Sequence, residues 1–278
     1  MAVVRSVSDL RRIVDVWRNQ GARIALVPTM GAVHEGHLSL VSLARAHADR
    51  TITSIFVNPS QFAPGEDFEK YPRDEASDVQ KLAAAGCDLL FAPAVAEMYR
   101  PGAATTITVG DVAELLDGLA RPGHFSGVAT IVAKLLIQAS PDLAVFGEKD
   151  FQQLQVIRRL VCDLDLPVEI LGAPTMREPD GLAMSSRNVY LNQAQREVAG
   201  RLNVILTTAA RSLRDGDEVS DVERRAQEAL FRAGFEGIDY LSVRDAGTLA
   251  ELRDARRPAR IFAAVRIGAV RLIDNIEV

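Results

Sequence analysis

The sequence predicts an α/β fold in which a parallel sheet, covered by helices on both faces, is followed by a smaller α+β domain. Two observations carry this. Through the first 175 residues short β-rich runs alternate with segments of helical periodicity, the pattern of crossover connections between parallel strands. After Pro174 the texture changes to a turn-rich stretch, TMREPDGLAMSSRN, followed by long helical patterns and a hairpin signature. A chain of 278 residues has room for two such domains, with the boundary near residue 175.

The predicted strands in order are residues 23–28 (RIALVP), 51–57 (TITSIFV), 88–92 (DLLFA), 142–146 (DLAVF) and 168–171 (VEIL). Between them, residues 38–50, 74–85 and 128–139 place apolar side chains at three- and four-residue intervals and read as helices. The second half predicts a long helix over 193–213, another over 221–233, a strand at 240–243 and a hairpin over 260–275 turning at Ile267-Gly268. In parallel sheets ligands bind beyond the carboxyl ends of the strands, so the segments that follow each strand carry the chemistry.

Charge narrows the partners. With 37 acids against 32 bases the net charge is −5, which excludes broad electrostatic capture of nucleic acid or an anionic membrane. An anionic substrate must then be met by a local cluster. Only four lysines (Lys70, Lys81, Lys134, Lys149) and four histidines (His34, His37, His47, His124) are present. Cys87 and Cys162, 75 positions apart, form no CxxC redox or zinc pattern. No apolar run approaches 18 residues, so a cytoplasmic, unanchored protein is expected.

The first strand runs into Pro28-Thr29-Met30-Gly31-Ala32-Val33-His34-Glu35-Gly36-His37, and a helix follows. Two imidazoles three residues apart at a helix start share one face, beside unpaired amides and the positive end of the helix dipole, which is an anion site. Gly31 and Gly36 precede His37-Leu38, so the lysine and hydroxyl of a Walker A loop are missing; HExxH and GxGxxG spacings are absent as well. After the second strand, Asn58 and Gln61 offer amides suited to hydroxyl or carboxylate recognition. Arg121 and His124 in RPGHFSG are candidate phosphate contacts, and GxxSG is not the nucleophile elbow of a serine hydrolase. Gly147 allows close approach of a ligand, while Lys149 and Asp150 beside it could meet phosphate and ribose. Met184-Ser185-Ser186-Arg187 lies in a Gly-flanked loop able to fold over a triphosphate. Taken singly, each segment also has a plain structural explanation: a core histidine, an Asn-Pro turn, a solvated charge triplet, an interdomain linker.

Six segments in order, PTMGAVHEGHLSL, FVNPSQF, YPR, RPGHFSGVATIVAKL, GEKDFQQL and DGLAMSSRN, resemble the pantothenate synthetase family over residues 28–188. That family joins pantoate to β-alanine with ATP. It is similar in turn to class I aminoacyl-tRNA synthetases and nucleotidylyltransferases, whose HxGH and KMSKS elements correspond to residues 34–37 and 184–187. The second element here lacks both lysines, leaving Lys149 and Arg187 as cations for the phosphates.

The resemblance implies a Rossmann-like domain over 1–175 that binds ATP and pantoate, a lid domain over 176–278, magnesium, a cytoplasmic location and a homodimer. It implies two steps: the pantoate carboxylate attacks the α-phosphorus of ATP and expels pyrophosphate, then the β-alanine amine attacks the pantoyl adenylate and releases AMP. On this carry-over His34, His37, Lys149, Ser185, Ser186 and Arg187 act on the phosphates. Pro28, Thr29, Met30, Gly36, Gly147, Asp150 and Met184 border the nucleotide. Met30, Asn58, Gln61, Phe62, Arg121, His124 and Gln153 line the substrate site, and Asp78 holds magnesium, with Ser77 where some members have an acid. The competing readings are another HxGH nucleotidylyltransferase and a catalytically silent nucleotide-binding relative. Size, net charge and the lack of an anticodon-binding module argue against a tRNA synthetase.

Overall fold

The computed structural model describes residues 1–62 and 65–278. The described residues contain a parallel sheet of six strands: β1 (Ala2–Val4), β2 (Ile24–Thr29), β3 (Arg50–Ile55), β4 (Leu89–Phe91), β5 (Leu143–Gly147) and β6 (Glu169–Ala173). In chain order the helices are α1 (Val7–Asn19), α2 (Glu35–His47), α3 (Glu75–Ala84), α4 (Val95–Met98), α5 (Asp117–Ala120), α6 (His124–Ala139), α7 (Phe151–Asp163), α8 (Gln193–Ala199), α9 (Arg201–Arg214) and α10 (Val219–Ala233).

The sheet order is β1-β4-β3-β2-β5-β6. β2 is central and its first four residues, Ile24, Ala25, Leu26 and Val27, are all buried, because helices cover both faces. Its register runs from Ile24 opposite Arg50 to Thr29 opposite Ile55, and Ala25 faces Leu143 of β5. The chain leaves β2 towards β3 and β4, then returns to β5 on the other side. That reversal opens a crevice at the carboxyl ends of β2 and β5, where the histidine segment and the GEKD segment both emerge. One face of the sheet is sealed by Val27, Val41, Ala44, Leu82, Leu90 and Val145.

All five expected strands are present. Of the strands and α-helices named above, five escaped the sequence reading: β1, α1, α4, α5 and α7. β1 has only three residues and pairs with β4, a long-range partner. α1 is set by Ser6, whose side chain accepts from the Asp9 amide as an N-cap, and it buries only Val7, Leu10 and Val14. α6 begins at His124, four residues before the expected 128, because Gly123 turns the chain at φ 82°.

The described residues form two compact units, Met1–Glu148 with Gln153–Pro174, and Lys149–Gln152 with Thr175–Val278. The second unit holds the antiparallel sheet β7 (Gly237–Asp245), β8 (Ala259–Ile267) and β9 (Val270–Glu277), packed through Leu202, Leu206, Val222, Leu230, Val243 and Ile261. The helix expected over 193–213 divides at Gly200 into α8 and α9. Ile267 pairs with Val270, so the hairpin turns at Gly268-Ala269, one residue later than expected, with Gly268 at φ 55° as a tight turn requires.

Candidate functional site

In the loop between β2 and α2 the four amides of residues 31–34 are all held. Thr29 Oγ1 donates to the Ser54 carbonyl at 2.8 Å and accepts from the Gly31 amide at 3.1 Å. Gly31 has φ 83°, and a Cβ there would sit 3.0 Å from Asp78 Oδ2 and 3.1 Å from Ile55 Cγ2. Asp78, in the first turn of α3, accepts from Ala32 N at 2.9 Å and Val33 N at 2.7 Å. Lys81 Nζ donates to the Val33 carbonyl at 2.7 Å.

His34 then caps α2. Its Nδ1 accepts from Gly36 N at 3.1 Å, and the His34 amide donates to His37 Nδ1 at 3.4 Å, so the HxGH spacing is a reciprocal capping box built from two imidazoles. The rings lie 4.1 Å apart. With both Nδ1 atoms accepting, each neutral ring carries its proton on Nε2. This corrects one expectation. Of the helix-start amides read as an anion cradle, Gly36 N is taken by His34 Nδ1 and His37 N by the His34 carbonyl at 2.8 Å.

After β3, Asn58 is 1% exposed. Its Nδ2 donates to Gln61 Oε1 and to the Gly127 carbonyl, both at 3.1 Å, and its Oδ1 accepts from Ser60 Oγ at 2.9 Å and Tyr99 Oη at 2.8 Å. Asn58 is therefore a buried post that holds Gln61. Gln61, held by it, donates through Nε2 towards Met30 Sδ at 3.2 Å, which brings two expected pantoate residues together. Phe62 stacks edge-on against Phe68 and Tyr71. α6 closes on this turn: a Cβ at Gly127 would lie 2.3 Å from the Ser60 carbonyl oxygen.

Arg121 and His124 also differ from expectation. Arg121 forks onto Glu66 at 2.7 and 2.8 Å and donates to His124 Nε2 at 3.2 Å, while His124 Nδ1 donates to the Gln61 carbonyl at 2.8 Å. Glu66 thus neutralises the arginine expected to meet phosphate. Burial first, and the Arg121 charge second, hold the His124 imidazole below the usual histidine range. The pair braces the Gln61 backbone.

At the end of β5 a Cβ on Gly147 would meet only Leu40 Cδ2, at 4.0 Å, so packing does not demand glycine there. Gln153 sits in the first turn of α7, half-buried, in the first unit. Lys149 and Asp150 belong to the second unit, where the Lys149 carbonyl accepts from Asn275 Nδ2 at 3.0 Å; Lys149 is half-buried and Asp150 exposed.

The Ser185 segment is braced. Arg177 forks onto the buried Asp274 at 2.7 and 2.9 Å, Arg196 pairs with Asp180, and Met184 N donates to the Met176 carbonyl at 2.9 Å. Ser185 Oγ accepts from Arg187 N at 3.3 Å and starts a 3-10 turn over Ser186–Tyr190.

Asp78 does not fit the magnesium role implied by resemblance. Both its oxygens accept backbone amides, and it is 2% exposed, which leaves no face for a hydrated cation that keeps several of its waters. No group of three or more His, Cys, Asp or Glu side chains able to hold a metal occurs among the described residues. The sequence reading missed Lys81, Glu66 and Tyr99. Only Lys81 left a signal, its position three residues after Asp78 on the same helix face.

The family model described as Pantoate-beta-alanine ligase matches residues 2–277. A pantothenate synthetase of Paramagnetospirillum magneticum is 56% identical over 276 residues, 99% of this chain and 97% of that protein. The crystal structure of pantothenate synthetase from Thermus thermophilus superposes with a TM-score of 0.94 at 46% identity, covering 100% of this chain and 99% of that one. The Francisella tularensis pantoate-beta-alanine ligase, solved in complex with beta-gamma ATP and beta-alanine, superposes with a TM-score of 0.85 at 36% identity, covering 100% and 97%.

Proposed function

Because the chain belongs to the pantoate-beta-alanine ligase family, we propose that its histidine loop activates pantoate by adenylation before β-alanine arrives. The protein is an ATP-dependent ligase that joins pantoate to β-alanine. The observation that carries the proposed route is the reciprocal cap of His34 and His37, in which both Nδ1 atoms accept backbone amides and the two rings are held together beyond the end of β2. Preorganised imidazole donors suit a phosphorus centre whose charge grows during attack.

In the first step a pantoate carboxylate oxygen bonds to the α-phosphorus of ATP and the bond to the bridging oxygen of pyrophosphate breaks. In the second, the unprotonated amine of β-alanine attacks the acyl carbon, AMP departs with the former carboxylate oxygen, and the amine loses its proton. His34 and His37 donate to phosphate oxygens. Lys149, Ser185, Ser186 and Arg187 meet the departing pyrophosphate, and Pro28, Thr29, Met30, Gly36, Gly147, Asp150 and Met184 border the nucleotide. Gln61 and Gln153 hold the pantoate hydroxyl and carboxylate groups, with Met30 and Phe62 against its methyls. The segment 176–278 acts as a lid. Since Asp78 is committed to backbone amides, no step is assigned to a protein-bound magnesium ion. Among the described residues no helix is long and apolar enough to cross a membrane; cytoplasmic residence and a homodimer complete the reading.

Single-turnover formation of pantoyl adenylate tests it. His37→Ala and Lys149→Ala should each slow this step by about 10²- to 10³-fold, and pyrophosphate exchange into ATP should require pantoate. Wild-type-like adenylation in both variants, or exchange that ignores pantoate, would overturn it.

A further inference from the structure

We propose that Asp78 and Lys81 form a clamp that positions the histidine loop, acting on adenylation through His34 and His37 rather than through a metal ion. The inference rests on the reading of those histidines as phosphate contacts. It starts from the backbone. Between the end of β2 and the cap of α2 the chain must reverse within a few residues, and it does so through two consecutive left-handed positions, Gly31 at φ 83° and Ala32 at φ 50°. Glycine accepts that conformation, but an alanine there is unfavourable and persists only where its surroundings over-determine it.

Asp78 supplies that determination. Its Oδ2 receives the Ala32 amide and its Oδ1 the Val33 amide, so one buried carboxylate reads two successive N–H groups that converge because of the left-handed turn. Lys81, one helical turn along α3, takes the Val33 carbonyl at 2.7 Å. Together they fix both peptide groups flanking Val33, and the next residue is His34, which leaves the loop in an extended conformation at φ −133° and ψ 175° and caps α2. Gly31 closes the arrangement from the other side, since a Cβ there would press on Asp78 Oδ2. The clamp thus sets where the paired imidazoles stand relative to the crevice, and a displacement of about 1 Å at a reacting centre can cost about 10²-fold in rate.

Asp78→Asn, Lys81→Met and Lys81→Arg in the full chain, with His37→Ala as reference, test this. Asp78→Asn turns an acceptor into an NH₂ that opposes an amide N–H, and it should slow pantoyl adenylate formation by about 10²-fold. Lys81→Met should slow it by at least about tenfold, and Lys81→Arg should restore most of the rate. In all three the magnesium concentration for half-maximal rate and the KM for β-alanine should stay at wild-type values, while the imidazole ¹⁵N signals of His34 and His37 in the ligand-free protein shift in the slow variants. Rescue of Asp78→Asn by excess magnesium with unchanged imidazole signals would overturn the proposal, as would a wild-type rate in Lys81→Met. If Asp78→Asn fails to fold, the two Lys81 variants decide. A slow His37→Ala beside wild-type-like clamp variants sinks the clamp alone; a wild-type-like His37→Ala sinks the histidine reading beneath it.

Discussion

Asn58 Nδ2 holds Gln61 Oε1 at 3.1 Å, and this one bond settles which end of the Gln61 amide is turned towards Asn58. The amide nitrogen of Gln61 is left pointing towards Met30, so in the proposed contact with pantoate Gln61 acts as a donor. The orientation is relayed further: Asn58 is itself fixed by Tyr99, whose hydroxyl donates to it at 2.8 Å, and burial pushes the Tyr99 phenol up, keeping that proton in place.

Asn58→Ala should therefore act at a distance. Removing it takes the side-chain donor from the Gly127 carbonyl and leaves the Tyr99 hydroxyl with Ser60 Oγ alone, a loss of about 1–3 kcal/mol in stability, and releases the Gln61 amide. Chemical denaturation and pantoate titration should show both a lowered midpoint and weaker pantoate binding. Full stability with unchanged pantoate affinity would remove Asn58 from this role.

The cap that His34 forms and the phosphate contact proposed for it are separable by substitution. Asparagine is a good N-cap, so His34→Asn should keep the stability of α2 while slowing adenylation by about 10²-fold or more. His34→Ala should lose the rate and about 1 kcal/mol of stability as well. Thermal melts paired with single-turnover rates check this, and equal stability losses in the two variants would contradict it.

At Gly127 the Cβ of alanine would fall 2.3 Å from the Ser60 carbonyl oxygen, which is backbone and cannot move cheaply. Gly127→Ala should cost roughly 1–3 kcal/mol, as overpacking does, and displace the 58–61 turn. Gly147→Ala differs, because only Leu40 lies near its Cβ. It should fold with a wild-type melting temperature and bind ATP more weakly. Calorimetry on the two variants distinguishes packing glycine from ligand-facing glycine; a wild-type ATP affinity for Gly147→Ala would count against the nucleotide contact.

The His124 imidazole has a pKa below its unfolded value of 6.5, set by burial and then by Arg121. Between the folded and unfolded values the unfolded chain binds the extra proton, so His124 lowers stability as pH falls below about 6.5 and costs nothing above it. His124→Asn should flatten the slope of unfolding free energy against pH in that window. An identical slope in variant and wild type would show that another group titrates there.

Much of the architecture was legible in the chain. Alternating apolar runs and helical spacing disclose five of the six parallel strands, most plainly β2, which is covered on both faces and is apolar along residues 24–27. The three-residue interval of His34 and His37 marks a shared helix face, and the order of segments from Pro28 to Asn188 carries the family resemblance. What the spacing could not settle is which polar group each side chain meets. Asp78 reaches the amides of residues 32 and 33 across 45 positions or more, and Glu66 reaches Arg121 across 55. Such bonds follow from the packing of α3 and α6 against the sheet, a property of tertiary structure with no local periodicity to reveal it. Five of the parallel strands, the histidine pair and the reaction family are thus written in local pattern and motif order, whereas the inward bonding of Asp78, Asn58, Arg121 and His124 emerges from folding, since a buried hydrogen-bonding group must be satisfied by whatever the fold brings within about 3 Å.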